Sequence, residues 1–226
     1  MGRQLRTCCD FGELLDFSKA EIPAVLMEVI YFNDYNFWLS AFLMVFNPLF
    51  WNVVARQEHK KRFLTNLFGS AKAGCIFLAI AIVHLMLFRS RRFQLVLESQ
   101  PVLSDCLPIV SSSFVDWLGF GLIALGLILV ITSFFALGFF GTYLGDYFGI
   151  LMEAKVTCFP FNVMAHPMYY GSFLENFGTA IWYKSPAGVL LSFLLLCTYL
   201  VAIRFEEPFT AEIYRQKQLE DSKKSR

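Results

Sequence analysis

Two adjacent carboxylates, Glu206 and Glu207, stand just beyond the apolar run of residues 187–203. Ionisable groups beside an apolar layer are costly to bury, so they are functional candidates by default. A glutamate pair at such a place can also be a polar marker of the end of a membrane span. Both interpretations are open at this point, and the chemistry of the surrounding residues has to decide between them.

Further ionisable residues occur in the second half of the chain. His166 opens the segment His166-Pro-Met-Tyr169, and Asp146 follows the longest apolar run. A carboxylate such as Asp146 can act as a base or as an interfacial cap. His84 lies inside an apolar run without an acidic neighbour in sequence, which favours a hydrogen-bonded histidine over a ligand. The C-terminal third is therefore the candidate site.

The composition shows which class of protein must position these groups. Of the 226 residues, 57% are apolar and only 16% are charged, which is typical of an integral membrane protein. The net charge of +1 does not favour a nucleic-acid partner, and basic residues serve better as topology markers. Residues 1–21 contain no uninterrupted apolar core of a signal peptide.

The six cysteines show no CxxC motif and no repeated spacing. This pattern favours free thiols over disulfides or a metal site. Cys8 and Cys9 lie near Arg3 and Arg6, so S-acylation stays open as an alternative there.

Four apolar runs are candidates for membrane helices, namely residues 37–55, 73–88, 117–141 and 187–203. A spanning helix needs about 20 residues, so the second and fourth must recruit flanking residues. The first run contains Pro48, which leaves a bent or shallow helix open. An amphipathic stretch from Pro167 to Tyr183 can form a hairpin with the last run, because Lys184-Ser-Pro186 breaks the chain between them.

These patterns predict an all-α integral membrane protein with four to five transmembrane or re-entrant helices and a C-terminal helical hairpin. Gly141, Gly145 and Gly149 repeat every four residues and follow Gly138. Small residues four apart favour helix packing in a membrane, with contact to a bulky ligand as the alternative.

The charge run of residues 57–62 is interpreted as a solvated or headgroup-level loop, with lipid phosphate contact as its functional alternative.

Several long strings resemble the phosphatidylethanolamine N-methyltransferases, which are small integral-membrane phospholipid methyltransferases that use S-adenosyl-L-methionine. The His-Pro-x-Tyr segment and the Glu-Glu pair are similar to those of small membrane methyltransferases in general. The strings that carry the closer resemblance lie at residues 46–56, 133–138, 141–149 and 206–216, within a match from about residue 43 to 218.

The resemblance implies stepwise methylation of phosphatidylethanolamine through mono- and dimethyl lipids to phosphatidylcholine. In that family a Gly-x-Gly and a Glu-Glu are assigned to the cofactor S-adenosyl-L-methionine. The Glu-Glu is intact as Glu206-Glu207, whereas the Gly-x-Gly falls on Ala124-Leu125-Gly126, in which alanine replaces the first glycine. No metal is implied.

The chemistry of this reaction gives roles to the other candidates. The methyl donor carries a sulfonium, an ammonium and two ribose hydroxyls, which a carboxylate pair can neutralise and accept hydrogen bonds from. His166 complements the donor carboxylate, Asp146 can serve as a base, and Tyr169 belongs to an aromatic cage for the cations. The expected cage comprises Tyr147, Phe148, Tyr169 and Tyr170. The lipid ammonium must lose a proton before attack.

One cofactor reaches His166 and Glu206 only if both lie on the same membrane face, which favours the hairpin. We expect that face to be cytosolic, with residues 89–92 lumenal, in a multi-pass protein of the endoplasmic reticulum membrane or of mitochondria-associated or mitochondrial membrane. Charge counting alone leaves the orientation undecided. Residues 1–36 are expected to form a peripheral segment, 37–205 the helical membrane domain and 206–226 a charged cytosolic tail.

Other functions stay open on the sequence alone. Isoprenylcysteine carboxyl methyltransferases and sterol reductases resemble this chain in the broad C-terminal arrangement. The long strings listed above argue against both, because they resemble the phosphatidylethanolamine N-methyltransferases specifically. A non-enzymatic lipid-binding scaffold would explain the glycines and aromatic residues by packing. The phospholipid substrate is expected to lie in the bilayer, and the oligomeric state is left open.

Overall fold

The computed structural model describes residues 29–103, 113–153 and 156–224. These residues form helices and connecting turns without any strand, so the all-α prediction is confirmed for the part of the chain described. The elements are α1 (Tyr35–Lys61), α2 (Phe63–Phe68), α3 (Ala71–Ser99), α4 (Ser113–Thr142), a 3₁₀ helix (Gly145–Phe148), α5 (Pro167–Trp182) and α6 (Pro186–Lys224).

Four of these segments are long and apolar enough to cross a membrane: Tyr35–Lys61, Ala71–Ser99, Ser113–Phe148 and Pro186–Leu219. Each contains one of the apolar runs found in the sequence, so a multi-pass membrane protein is confirmed. The observed helices are longer than the apolar runs, because each helix also includes polar residues that flank its run. α5 is shorter, and its 16 residues give a length of about 24 Å.

Local sequence explains where several helices begin. The carboxylate of Asp34 caps α1 by accepting from the Asn36 N–H, and Ser70 caps α3 in the same way. Pro167 is the first residue of α5, and Pro186 is the first of α6. Proline is tolerated at the first position because that backbone N–H has no partner within the helix.

α1 is one continuous helix of 27 residues although Pro48 lies inside it. The proline does not interrupt the helix, and the bent helix that the sequence left open stays a prediction. The Asn52 amide donates to the Pro48 carbonyl over 3.0 Å, one turn later. Pro48 and Asn52 are both buried, so the face of α1 that carries them packs inside the bundle.

The charge run of residues 57–62 is not a loop. It completes α1, and Glu58 is fully buried. Its carboxylate accepts from the Leu64 N–H over 2.7 Å and from Thr65. Glu58 therefore caps the start of α2, since the first N–H groups of a helix have no partner inside it.

Glycines bring α4 and α5 into backbone contact. A Cβ atom added at Gly126 would lie 2.6 Å from the Gly171 carbonyl oxygen, and one added at Gly178 would lie 2.8 Å from the Gly119 oxygen. The two contacts have opposite order along the helices, so α4 and α5 run antiparallel. The spaced glycines that pack these helices are therefore different from the predicted series, because α4 ends at Thr142, before Gly145 and Gly149.

The turn between α5 and α6 closes the C-terminal hairpin. The Lys184 ammonium forms an ion pair of 2.7 Å with Asp116 near the start of α4. The Leu103 N–H donates to the Lys184 carbonyl over 2.9 Å, so the turn lies where α3 ends. We call this end of the bundle the far end, and the opposite end, where α4 finishes and α5 begins, the site end. The predicted hairpin is confirmed.

α6 continues past the Glu206-Glu207 pair to Lys224 without a break. The charged tail expected from residue 206 onward is thus a helical extension of the last span. Of the expected peripheral segment 1–36, residues 1–28 lie outside the described residues. The division into three segments stays a prediction.

Candidate active site

A large cavity of about 1650 Å³ extends along the bundle and includes residues of the site end in its lining. One wall comes from α3 and the opposite wall from α4, and these two helices are not packed against each other as neighbours. α5 and α6 complete the lining with His166, Tyr169, Glu206 and Glu207. The cavity therefore occupies the space between α3 and α4.

Glu206 is held by side chains from two other helices. The Asn52 amide of α1 donates to one carboxylate oxygen over 2.5 Å, and the Tyr169 hydroxyl of α5 donates to the other over 2.6 Å. Such charge-assisted hydrogen bonds are among the strong ones. Glu206 therefore joins three helices and carries a fixed negative charge on the cavity wall.

Glu207 occupies a different environment from its neighbour. Its side chain is 66% exposed, and one carboxylate oxygen lies 3.9 Å from Nε2 of His166, which is 26% exposed. This spacing is long for an ion pair and leaves the Glu207 oxygens open to other donors. Glu207 and His166 together form the water-facing mouth of the cavity.

Arg56 supports the same turn of α6 from outside. Its guanidinium donates to the Phe205 carbonyl over 2.6 Å and lies 4.7 Å from the centre of the Phe209 ring. The carbonyl bond and the cation–π contact fix α1 against α6 beside Glu206. Arg56 therefore positions the carboxylate pair and does not face the cavity.

Asp146 lies on the cavity wall at the 3₁₀ helix. Its carboxylate accepts from the Thr210 hydroxyl and from the Tyr147 N–H, each over 3.1 Å. Thr210 is one helical turn beyond Glu206 on α6. Asp146 therefore fastens the segment after α4 to the helix that carries the glutamate pair.

A second group of polar residues lies deeper in the bundle. The Tyr199 ring packs 4.6 Å from the Tyr169 ring, and its hydroxyl is 3.3 Å from the Ser172 hydroxyl. The Arg89 guanidinium of α3 donates to the Tyr199 hydroxyl over 3.2 Å. These residues and Glu175 also line the cavity, so polar chemistry extends below the mouth.

Five of the eight site residues predicted from the sequence line this one cavity: His166, Tyr169, Asp146, Glu206 and Glu207. The other three, Ala124, Leu125 and Gly126, do not line it. Ala124 and Leu125 are exposed on the outer face of α4, while Gly126 is buried against α5. The structure gives Gly126 a packing contact, and cofactor binding by these three residues stays a prediction.

The predicted aromatic cage is dispersed. Tyr147 and Phe148 are each 1% exposed in the core, and Tyr147 stacks on Phe209 at 5.0 Å. Tyr169 lines the cavity, whereas Tyr170 does not. Tyr199 takes the second aromatic position beside Tyr169, which the sequence did not indicate.

The other ionisable candidates have structural partners. The Nδ1 atom of His84 lies 2.8 Å from the Ile80 carbonyl one turn earlier, in agreement with a hydrogen-bonded histidine. Cys75, Cys158 and Cys197 are free thiols, and Cys8, Cys9 and Cys106 lie outside the described residues. Within the described residues, no group of histidine, cysteine and acidic side chains is arranged to hold a metal ion.

Four helices long and apolar enough to cross a membrane, together with a large cavity lined by a carboxylate pair, fit a multi-pass membrane enzyme. Comparison with known proteins gives its family. A model of the phospholipid methyltransferase family matches residues 114–217. This chain belongs to that family, whose reaction requires a methyl donor.

Full-length relatives support the assignment. The chain is 50% identical over 192 residues to the phosphatidylethanolamine N-methyltransferase of Homo sapiens, covering 85% of this chain and 94% of the human one. It is 46% identical over 201 residues to the phosphatidyl-N-methylethanolamine N-methyltransferase of Neurospora crassa, covering 88% and 92%. The protein of that name from Saccharomyces cerevisiae is 41% identical over 202 residues, covering 88% and 96%. No solved structure matches the chain.

Proposed function

We propose that this protein transfers methyl groups from S-adenosyl-L-methionine to phosphatidylethanolamine, forming in turn the mono-, di- and trimethyl lipids. The observation that carries the proposal is the fixed Glu206 carboxylate beside the open pair of Glu207 and His166, in a cavity between α3 and α4. We propose that the lipid enters between these two helices, which are not packed as neighbours. The names of the relatives cover both the unmethylated and the monomethyl substrate, which supports a stepwise reaction.

The residues at the mouth suit S-adenosyl-L-methionine. Its ammonium and ribose hydroxyls are donors, and Glu207 has exposed acceptor oxygens while Glu206 adds a second negative charge. One ring N–H of His166 can donate to the carboxylate of the methyl donor, while the other ring nitrogen is an acceptor. When bound, the cofactor supplies an electrophilic methyl group on a sulfonium sulfur.

The chain itself contributes positioning and proton transfer. A lipid ammonium must be deprotonated before its nitrogen attacks, and alignment of that nitrogen with the methyl group provides much of the rate. His166 lines the cavity and is partly exposed, so we assign it to carry the proton to water. Asp146 already accepts two hydrogen bonds, so we assign it to positioning. Tyr169 presents its ring to the cations while its hydroxyl orients Glu206.

The reaction is tested with purified protein in liposomes that contain phosphatidylethanolamine and labelled S-adenosyl-L-methionine. We expect label in the mono-, di- and trimethyl lipid fractions. A parallel sample with a prenylated cysteine acceptor tests carboxyl methylation, and a sample with a sterol and a reduced nicotinamide cofactor tests sterol reduction. Absence of label from the phospholipid fraction, with the protein folded and inserted, would reject the proposal.

We also propose the endoplasmic reticulum membrane as the location, with mitochondria-associated membrane as the alternative compartment. The multi-pass helices and a bilayer-borne substrate support a membrane where phospholipids are made. Co-localisation of a fluorescent fusion with markers of the two compartments tests this assignment.

A further inference from the structure

Arg89 is a charged residue deep inside the helical bundle. It is 3% exposed and lies ten residues before the end of α3 at Ser99, which is about 15 Å along the helix. An ionised side chain at such a depth is expensive and faces a partner, a cavity or a pathway. Arg89 lines the cavity between α3 and α4, so its charge is available to a ligand there.

The partners of Arg89 within the described residues do not complete its hydrogen bonding. One terminal nitrogen donates to the Tyr199 hydroxyl over 3.2 Å, whereas Nε is buried without a partner. Glu175 interacts with it electrostatically, but no described carboxylate lies within the 4.0 Å of an ion pair. A guanidinium has five N–H donors in a planar fork that fits two oxygens of one anion. Most of these donors are therefore unused.

The direction of the side chains turns these unused donors from the interior of the bundle toward the mouth of the site. Side chains on a helix tilt toward its N-terminus, and α3 begins at the site end, so Arg89 tilts toward Glu206. Tyr199 connects the two, because its hydroxyl contacts Arg89 and its ring packs on Tyr169, whose hydroxyl holds Glu206.

We infer that Arg89 binds the phosphodiester of the lipid substrate and thereby sets the position of its amine. This inference rests on the proposed function. The headgroup amine is two carbons from the phosphodiester, so an anion at Arg89 directs the nitrogen toward Tyr169 and the mouth. The carboxylate of the methyl donor is the other anion in the reaction. We favour the phosphodiester because Arg89 lies on the α3 wall of the cavity, away from Glu207 and His166, where the methyl donor is proposed to bind.

The test compares Arg89→Met with the matched control Arg91→Met, which removes the same charge from an exposed site two residues away. Loss of a charged hydrogen-bonded contact predicts that kcat/KM for phosphatidylethanolamine falls about 10- to 100-fold. The affinity for S-adenosyl-L-methionine, measured by calorimetry, should change less than about twofold, and Arg91→Met should retain wild-type kinetics. A loss of cofactor affinity in Arg89→Met would instead assign the residue to the donor carboxylate and overturn the inference.

A purely structural pairing with Glu175 predicts a different result. In that case the double variant Arg89→Met/Glu175→Gln, which removes both charges, would restore activity. We expect no recovery, and restored kcat/KM would overturn the inference. If Arg89→Met does not fold, Arg89→Lys keeps the charge and loses the fork, and it should still weaken the lipid step. Wild-type kinetics in a folded Arg89→Lys would then argue against the inference.

A separate experiment distinguishes failure of the phosphate site from failure of the proposed reaction. Native mass spectrometry of the purified protein measures retention of phosphatidylethanolamine and of a diacyl lipid amine without phosphate. Wild type should retain the phospholipid in preference, and Arg89→Met should lose that preference whether or not any methyl group is transferred. Equal retention of the two lipids by wild type would reject the phosphate site, while absent methylation with retained preference would reject only the reaction.

Discussion

Glu206 and Glu207 are neighbours in sequence but have different tasks. Both oxygens of Glu206 accept hydrogen bonds from other helices, whereas Glu207 is mostly exposed and 3.9 Å from His166. Glu206 therefore fixes the geometry of the mouth and supplies charge, and Glu207 has oxygens ready for a ligand. The function of each carboxylate can be separated by conservative substitution.

Replacing Glu206 with glutamine should weaken binding of the methyl donor about 10- to 100-fold, because a charge-assisted contact is lost. The glutamine amide would also place an N–H donor opposite Asn52 or Tyr169, which both donate to Glu206 in the wild type, so one hydrogen bond would be lost. Calorimetry with S-adenosyl-L-methionine provides the measurement. Glu212→Gln is the control, since Glu212 pairs with Arg215 on the exposed face of the same helix. Unchanged affinity in Glu206→Gln would show that this carboxylate only holds the helices together and does not bind the methyl donor.

Tyr169→Phe removes one hydrogen bond to Glu206 and keeps the ring that packs on Tyr199. We expect kcat/KM to fall about tenfold or more, the typical effect of a lost hydrogen bond to a charged group. Tyr170→Phe is the matched control because Tyr170 does not line the cavity. Equal activity of the two variants would remove the Tyr169 hydroxyl from the site.

At this scale the sequence identifies residues whose charge is energetically unfavourable beside an apolar segment. Glu206, Glu207 and His166 could be selected because charge beside an apolar layer needs a reason. Asn52 could not, because its bond to Glu206 joins positions 154 residues apart. Arg89 was grouped with a lumenal basic cluster, since its depth in the bundle depends on how far α3 extends past its apolar run.

At the scale of elements, the α4–α5 pair shows how small residues shape the site. The backbones of Gly126 and Gly171 are so close that no Cβ fits between them. This contact places the start of α5, with His166 and Tyr169, opposite α6. The sequence predicted the hairpin from its break at residues 184–186, but its glycine series pointed to the wrong segment because the helix end at Thr142 was not recognised.

Gly171→Ala should therefore destabilise the protein. The added methyl would lie 2.8 Å from the Gly126 carbonyl oxygen, and overpacking of this kind costs about 1–3 kcal/mol. Thermal unfolding in detergent micelles measures the change. Gly121→Ala, on α4 with nothing within 4 Å of the new atom, is the control and should be neutral or slightly stabilising, since alanine favours the helix. A Gly171→Ala protein as stable as Gly121→Ala would contradict the close contact.

The start of α1 makes a pH-dependent contribution. Burial raises the pKa of the Asp34 carboxyl, but hydrogen bonds from Ser99, Asn36 and Gln100 outweigh burial and hold this pKa below its ordinary value. The carboxylate therefore stabilises the fold above the unfolded pKa of about 3.9. That stability is lost as pH falls through the lower folded pKa.

Asp34→Ala should accordingly cost about 0.5–2 kcal/mol at pH 7, as for other lost helix caps. The difference from wild type should stay constant between about pH 5 and 8 and shrink below about pH 4. Unfolding in micelles across this range gives the measurement. Glu98→Gln, which alters an exposed carboxylate at the same end, should show no such loss. A difference that does not vary with pH would exclude the carboxylate charge as the cause.

For the whole molecule, the hairpin brings two distant parts of the sequence to one face. His166 at the start of α5 and Glu207 on α6 lie 3.9 Å apart although a helix and a turn separate them. The cavity they share extends from this face into the space between α3 and α4. A soluble cofactor and a bilayer substrate can thus meet in one site, and the orientation of the bundle decides from which compartment the cofactor comes.

We expect the site end to face the cytosol, where the methyl donor is made. In sealed microsomes that contain a variant without the six native cysteines, Ala165→Cys should react with a membrane-impermeant maleimide, because Ala165 is exposed next to His166. Glu98→Cys, exposed near the end of α3 at the far end, should react only after detergent opens the vesicles. Protection of position 165 with labelling of position 98 would reverse the orientation. Labelling of both positions from outside would contradict the placement of the two ends on opposite faces, because α3 would then not cross the bilayer between them.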